Sequence, residues 1–167
     1  MQLDHYSTHF TPKKFPITLV CDQVSNAPNI GSLFRTADAF GIEKLIFCGN
    51  EISMGRKMSK TSRATEKYVS FEMASDISET LSELKKNGYF LIALEITEDS
   101  SDLKAFNFPK QQPIAIIIGE ENFGISESVL EQMDAVLHIT MFGQNSSMNV
   151  VQATSVALYE ITKQLTS

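Results

Sequence analysis

Two stretches of this chain are apolar at every position: Tyr89-Phe90-Leu91-Ile92-Ala93-Leu94 and Pro113-Ile114-Ala115-Ile116-Ile117-Ile118. A strand with one wet face alternates apolar and polar residues. A run without a polar position therefore marks a strand covered on both faces, as in a parallel sheet between two helical layers. Ile17 to Cys21, Lys44 to Cys48 and Ala135 to Ile139 read as further strands, and Tyr68, Val69 and Phe71 suggest a short one. Helical spacing fills the intervals: Ile30, Leu33, Phe34 and Ala37, closed by Gly41; Ile77, Leu81 and Leu84, stopped by Asn87-Gly88; and a short piece at Val129, Leu130 and Met133. A last helix starts near Asn149 and buries Val150, Val151, Thr154, Ala157, Leu158 and Ile161. Asn29 stands where it would cap the first helix. Strand and helix alternate throughout, which predicts an α/β fold of three layers, a mainly parallel sheet with helices on both faces. Residues 1–15 lack periodicity and read as an N-terminal arm; residues 16–167 read as one domain, in keeping with the length.

No apolar run is long enough to span a bilayer, and the start of the chain lacks a basic-then-apolar signal pattern. Cys21 and Cys48 both fall in expected buried strands and read as reduced core thiols, so a cytoplasmic protein without a membrane partner is expected. The net charge of −6 argues against nucleic acid, whose phosphates need cationic surface. Its distribution argues otherwise: Arg56, Lys57, Lys60, Arg63 and Lys67 crowd one segment, with only Glu66 against them. Such a strip is either a solvated helix face, over an expected helix at 52–65, or an RNA-facing surface.

In parallel α/β sheets, ligands bind beyond the carboxyl ends of the strands. Three of those ends carry unusual loops: Asp22 to Asn29, Gly119 to Ser126, and Gly143 to Asn149. In the last, Asn145, Ser146, Ser147 and Asn149 crowd one helix entry. This is either redundant capping or a loop whose backbone grips a ligand while Ser147 and Asn149 point inward. Arg35 lies off the apolar stripe of its helix, either paired with Asp38 at i, i+3 or available to a site. Neither a G-x-G-x-x-G nor a G-x-x-x-x-G-K-[ST] pattern occurs, and no G-x-S-x-G elbow is present. His5, His9 and His138 are not at metal-ligand spacing, so no metal is expected, and His138 reads as a core or edge residue.

Together the three loops are far more specific. Asn29-Ile30-Gly31-Ser32-Leu33-Phe34-Arg35-Thr36-Ala37-Asp38-Ala39-Phe40-Gly41 resembles the N-x-G-x-x-x-R-T-A-x-x-x-G motif of the TrmH/SpoU ribose methyltransferases, members of the SPOUT superfamily. Gly119-Glu120-Glu121-Asn122-Phe123-Gly124-Ile125-Ser126 resembles their second motif, G-x-E-x-x-G-[LI]-S, and Ile139 through Ala153 the third, I-P-M-x-G-x-x-x-S-L-N-V. The chain departs from the third motif at Thr140, where the family has Pro, and at Met148, where it has Leu.

The resemblance implies S-adenosylmethionine as methyl donor and a ribose 2′-hydroxyl of RNA as acceptor. It also implies a homodimer and a C-terminal trefoil knot of the SPOUT type, a topology that general rules would reject. The RNA expected is tRNA rather than rRNA; the alternative is a non-catalytic RNA-binding relative. The implied cofactor loops hold Leu94, Glu95, Gly119, Gly124, Ile139, Met141, Gly143 and Met148, with main-chain groups at Leu94, Gly119, Ile139 and Met148 on the adenosine. Arg35, Asn29, Glu121, Ser147 and Asn149 are the implied catalytic set, with Glu121 bracing Asn29 and the loops. Arg56, Lys57, Lys60 and Arg63 are the candidate RNA contacts. Family accounts make Arg35 a base; a permanently charged guanidinium is better suited to clamping phosphate and stabilising a developing alkoxide.

Overall fold

The computed structural model describes residues 8, 10–49 and 55–167. At its centre is a seven-stranded sheet. In chain order the strands are β1 (Phe15–Asp22), β2 (Ile42–Cys48), β3 (Ser70–Ala74), β4 (Phe90–Leu94), β5 (Ser101–Asp102), β6 (Ile114–Ile118) and β7 (Ala135–His138). Across the sheet they run β3-β2-β1-β6-β4-β7-β5, and every pairing between them is parallel. The helices are α1 (Ala27–Ala39), α2 (Arg56–Ser62), α3 (Ile77–Lys86), α4 (Glu127–Leu130) and α5 (Val150–Thr166).

The period of two in a strand sorts β6 between the layers. Ile114, Ile116 and Ile118 pack with Leu33 and Phe34 of α1 and Leu158 and Ile161 of α5; Ala115 and Ile117 pack with Leu81 and Leu84 of α3 and Val129 of α4. Each large aliphatic side chain so buried contributes about 1.5–3 kcal/mol, and a polar residue at any of these positions would face apolar atoms. This is why β4 and β6 carry unbroken apolar runs. Thr18, in the middle of β1, is the exception: it is fully buried and its hydroxyl finds no hydrogen-bond partner. Both cysteines are free and buried, and burial raises both thiol pKa values.

Four local expectations need correction. The basic segment is helical only over Arg56–Ser62, because Arg63 (φ 52°) and Ala64 (φ 67°) turn left-handed before a 3₁₀ turn at Thr65–Lys67; residues 50–54 lie outside the described part. The strand expected at 68–71 lies at Ser70–Ala74, on an edge and largely exposed, so it lacks a clear apolar pattern. Between β4 and β6, where no strand is expected from the sequence, lies a two-residue edge strand, β5. Finally, α1 is capped by Asn26, whose Oδ1 accepts from Asn29 N at 3.1 Å. Asn29 is therefore inside the first turn, with its side chain free for other work.

β2 and β3 extend from β1 toward one edge, whereas β6, β4, β7 and β5 extend toward the other. Loops leaving β1 and β6 thus diverge from neighbouring strand ends. That is the switch point at which parallel sheets open a crevice.

Candidate active site

The turn after β6 is built by close approach. A Cβ on Gly119 would sit on the carbonyl carbon of Gly124 and 2.8 Å from Ile125 N, so only glycine lets the two ends of the turn meet. Gly124 N donates to Glu120 O at 2.8 Å, and Gly124 has φ +63°, a conformation that side chains resist. Glu95, just past β4, braces this turn from the side. Its Oε2 accepts from Ile125 N at 3.1 Å and its Oε1 from Ile96 N at 2.9 Å.

The loop after β7 closes the third side. Thr140, at one of the two departures from the family pattern, donates from Oγ1 to Asp102 Oδ2 at 2.9 Å and so ties the loop to the end of β5. Hydrogen bonding, first from the Lys104 backbone N–H, holds the Asp102 carboxyl below its ordinary pKa. The loop ends at Asn149, whose Oδ1 caps α5 by accepting from Val151 N at 2.9 Å and Gln152 N at 3.4 Å. The capping is not shared: Asn149 does it, and Ser146 and Ser147 line a cavity instead.

That open cavity has a volume of about 780 Å³ and is lined mainly by residues 94–97, 118–125 and segments of 138–150. Leu94, Glu95, Gly119, Gly124, Ile139, Met141 and Met148 all line it, as do Glu121, Ser147 and Asn149. Gly143 does not line it: a Cβ there would meet nothing within 4 Å. The lining residues include the acidic Glu95, Glu120 and Glu121, and no lysine or arginine. Such a wall favours a cationic ligand and disfavours a polyphosphate. The volume is that of a site for a drug-sized molecule. Among the described residues no group of His, Cys, Asp and Glu is placed to hold a metal ion.

Asn29 does not line the cavity but is wired to its wall. Its Nδ2 donates to Glu121 Oε1, and its Oδ1 accepts from Asn149 Nδ2 at 3.4 Å. One amide thereby links the loops after β1, β6 and β7, a function open to it only because Asn26 does the capping. Below it, Thr36 Oγ1 and Ser155 Oγ lie 3.4 Å apart where α1 meets α5.

Arg35 is exposed, off the cavity wall, and forms no ion pair with Asp38. It lies six residues beyond Asn29, about 9 Å further along the helix axis. One turn before Arg35 on the same face of α1, Gly31 allows α2 to dock: a Cβ there would overlap Met58 O and stand 2.8 Å from Ser62 N and Thr61 Cβ. Arg56, Lys57, Lys60 and Arg63 are all exposed at this end of the molecule.

Two cavity-lining residues stand outside the expected site set, His138 and Phe123. His138 lines the cavity, and its Nδ1 is 3.0 Å from Ser100 Oγ. The Ser100 hydroxyl donates its one proton to Thr97 O at 2.7 Å, so Nδ1–H of the imidazole donates to Ser100. The sequence signal existed: His138 is the polar end of an apolar strand, at the carboxyl edge where ligands bind. Phe123 lines the cavity yet is 87% exposed, and it falls at an unspecified position of the second motif.

Comparison with known proteins agrees with this geometry. A Staphylococcus saprophyticus protein named for the TrmH family of tRNA/rRNA methyltransferases is 30% identical over 149 residues, covering 89% of this chain and 59% of that one. The chain thus spans about three-fifths of the length of that relative. The tRNA (guanosine(18)-2'-O)-methyltransferase of Thermus thermophilus is 29% identical over 148 residues, 89% of this chain and 75% of its own. The crystal structure of the A. aeolicus TrmH/SpoU tRNA modifying enzyme superposes with a TM-score of 0.81 at 26% identity, covering 92% of this chain and 76% of that one. Residues 16–159 match the SpoU rRNA Methylase family as a whole, spanning all three loops of the site. This chain belongs to the SpoU rRNA Methylase family.

Proposed function

We propose that this protein is an S-adenosylmethionine-dependent RNA methyltransferase, acting in the cytoplasm on a ribose 2′-hydroxyl, with tRNA as the substrate. The observation that carries the reading is the charge of the cavity wall. Glu95, Glu120 and Glu121 face a space of about 780 Å³ that holds no lysine or arginine, while the basic residues of α2 lie outside it. A donor bearing a sulfonium and an ammonium suits such a wall; RNA phosphates suit the exposed Arg56, Lys57, Lys60 and Arg63. The Thermus thermophilus relative named for tRNA methylation supports the choice of RNA.

S-adenosylmethionine, when bound, supplies a methyl group activated by its positive sulfur. The chain's own residues have two tasks: to hold donor and acceptor in line, and to manage a hydroxyl that is a poor acid at neutral pH. Main-chain groups at Leu94, Gly119, Ile139 and Met148 hold the adenosine, with Glu95, Gly124 and Met141 shaping the wall. Glu121 and Asn149 fix Asn29, and Ser147 with Asn149 lines the acceptor side. Arg35 clamps the phosphate beside the acceptor and stabilises the oxygen as it becomes an alkoxide, its proton passing to solvent water.

The reading includes a homodimer and a knotted C-terminus. Arg35 stands off the cavity of its own chain, and Val156 and Tyr159 are exposed on α5. Both facts support an assembly in which one copy's guanidinium completes its partner's site. β7 lies between β4 and β5 although it follows both in the chain, and the loop after it folds back over the cavity before α5. That path supports a trefoil knot. Titration calorimetry with S-adenosylmethionine and with ATP tests the cavity: the former should bind and the latter should not. No heat from S-adenosylmethionine would contradict the reading and favour an RNA-binding relative without catalysis.

A further inference from the structure

We infer that Phe123 is a stacking platform for the base of the acceptor nucleotide, so that the ribose to be methylated enters the cavity mouth from a base laid on this ring. The inference rests on the reading of the site as an RNA methyltransferase and adds where that RNA is gripped.

Phe123 is 87% exposed, belongs to neither apolar core, and lines the cavity. Its exposure is built into the turn. The Glu120–Gly124 bridge, Gly124 at φ +63° and the Glu95 bonds to Ile96 N and Ile125 N brace the backbone around it. The ring is held out by a braced turn. Ile96 and Met148, 54% and 37% exposed, line the same cavity, so large exposed apolar side chains gather at one opening. Scattered apolar residues on a surface mean little, but a group at the mouth of a site marks a surface that a ligand covers.

The occupant follows from position and charge. Two residues before Phe123, Glu121 is bonded to Asn29, which begins α1; against the same helix at Gly31 packs α2 with its exposed Arg56, Lys57 and Lys60. A strand of RNA with phosphates toward α2 brings an unstacked base toward the turn. The nearby carboxylates Glu120 and Glu121 repel phosphate and leave the uncharged face of a base as the group for the ring. Single-stranded RNA is commonly held by such stacking, which every base permits.

The test compares Phe123→Ala and Phe123→Trp in the full-length protein, with bulk tRNA from a strain lacking it as substrate. Phe123→Ala should raise KM for tRNA by about 5- to 150-fold, the loss expected for one base–ring stack, with S-adenosylmethionine affinity by calorimetry and sedimentation behaviour unchanged. Phe123→Trp should keep the KM. Because the chain has no tryptophan, the fluorescence of that variant reports this position alone, and tRNA should quench it. An unchanged KM in Phe123→Ala, or an unquenched tryptophan, would overturn the platform while leaving the methyltransferase in place. Loss of S-adenosylmethionine binding would assign the ring to the cofactor, and loss of the dimer would assign it to a second copy; either overturns the inference. A wild-type protein that transfers no methyl group to RNA would overturn it together with the reading beneath it.

Discussion

Replacing Gly31 by alanine tests whether α2 is placed by close helix approach. Gly31 is buried in the first half of α1, and its φ is not in the left-handed region, so backbone freedom is not the reason for glycine. On helix propensity alone, Ala should stabilise by about 0.8–1 kcal/mol. The added methyl, however, would overlap Met58 O and stand 2.8 Å from Ser62 N and Thr61 Cβ. Two of these atoms are backbone and cannot rotate aside, so α2 must retreat by roughly an ångström. Overpacking of this kind costs about 1–3 kcal/mol, and rigid neighbours place the cost at the upper end. The net is a loss of about 1–2 kcal/mol, or a fall in Tm of about 2–8 °C for a chain of this size. Because α2 carries Arg56, Lys57 and Lys60 but lines no part of the cavity, RNA affinity should fall while S-adenosylmethionine affinity holds. Thermal melts and two titrations measure all three. A variant as stable as wild type, with RNA binding intact, would refute the argument that contact at Gly31 sets the position of the basic helix.

Other substitutions probe other links. Gly119→Ala, whose methyl would meet Gly124 and Ile125 N, should open the turn after β6 and lower S-adenosylmethionine affinity at least tenfold in calorimetry, whereas Gly143→Ala, with open space around it, should leave that affinity unchanged. Thr18→Val removes a buried hydroxyl without a partner at nearly constant volume and should stabilise by about 1 kcal/mol in denaturant unfolding. Burial raises the pKa of Asp22 from 3.8, so the folded protein holds that proton more tightly than the unfolded chain. Its contribution is fully present below the ordinary value and is lost as pH rises through the raised one. Asp22→Asn should therefore raise Tm more at pH 7 than at pH 3, and an equal effect at both would contradict it.

The layers of this fold were legible because β4 and β6 are buried on both faces and say so at every position. The edges were not. β3 and β5 have too little burial to impose a pattern, and the helix at Arg56 stops on two left-handed residues, Arg63 and Ala64, that carry none of the usual stop signals. At the site, loop residues could be named because parallel strands put ligands at their carboxyl ends. Their division of labour could not. Whether Asn26 or Asn29 caps α1 is a choice between two good caps three residues apart; capping by Asn26 releases Asn29, and its partner Glu121 lies 92 residues on. His138 was hidden for the opposite reason: its strand is apolar, and most of the cavity it lines is formed by segments far away in the chain.

The most direct test of the account is the fate of a labelled methyl group. Purified protein, S-adenosylmethionine carrying an isotopic methyl, and tRNA from a strain lacking the protein are incubated, and the RNA is digested to nucleosides for mass spectrometry. The label should appear on a ribose 2′-oxygen and be lost with Arg35→Ala. Label on a base, or label transfer that survives Arg35→Ala at full rate, would contradict it.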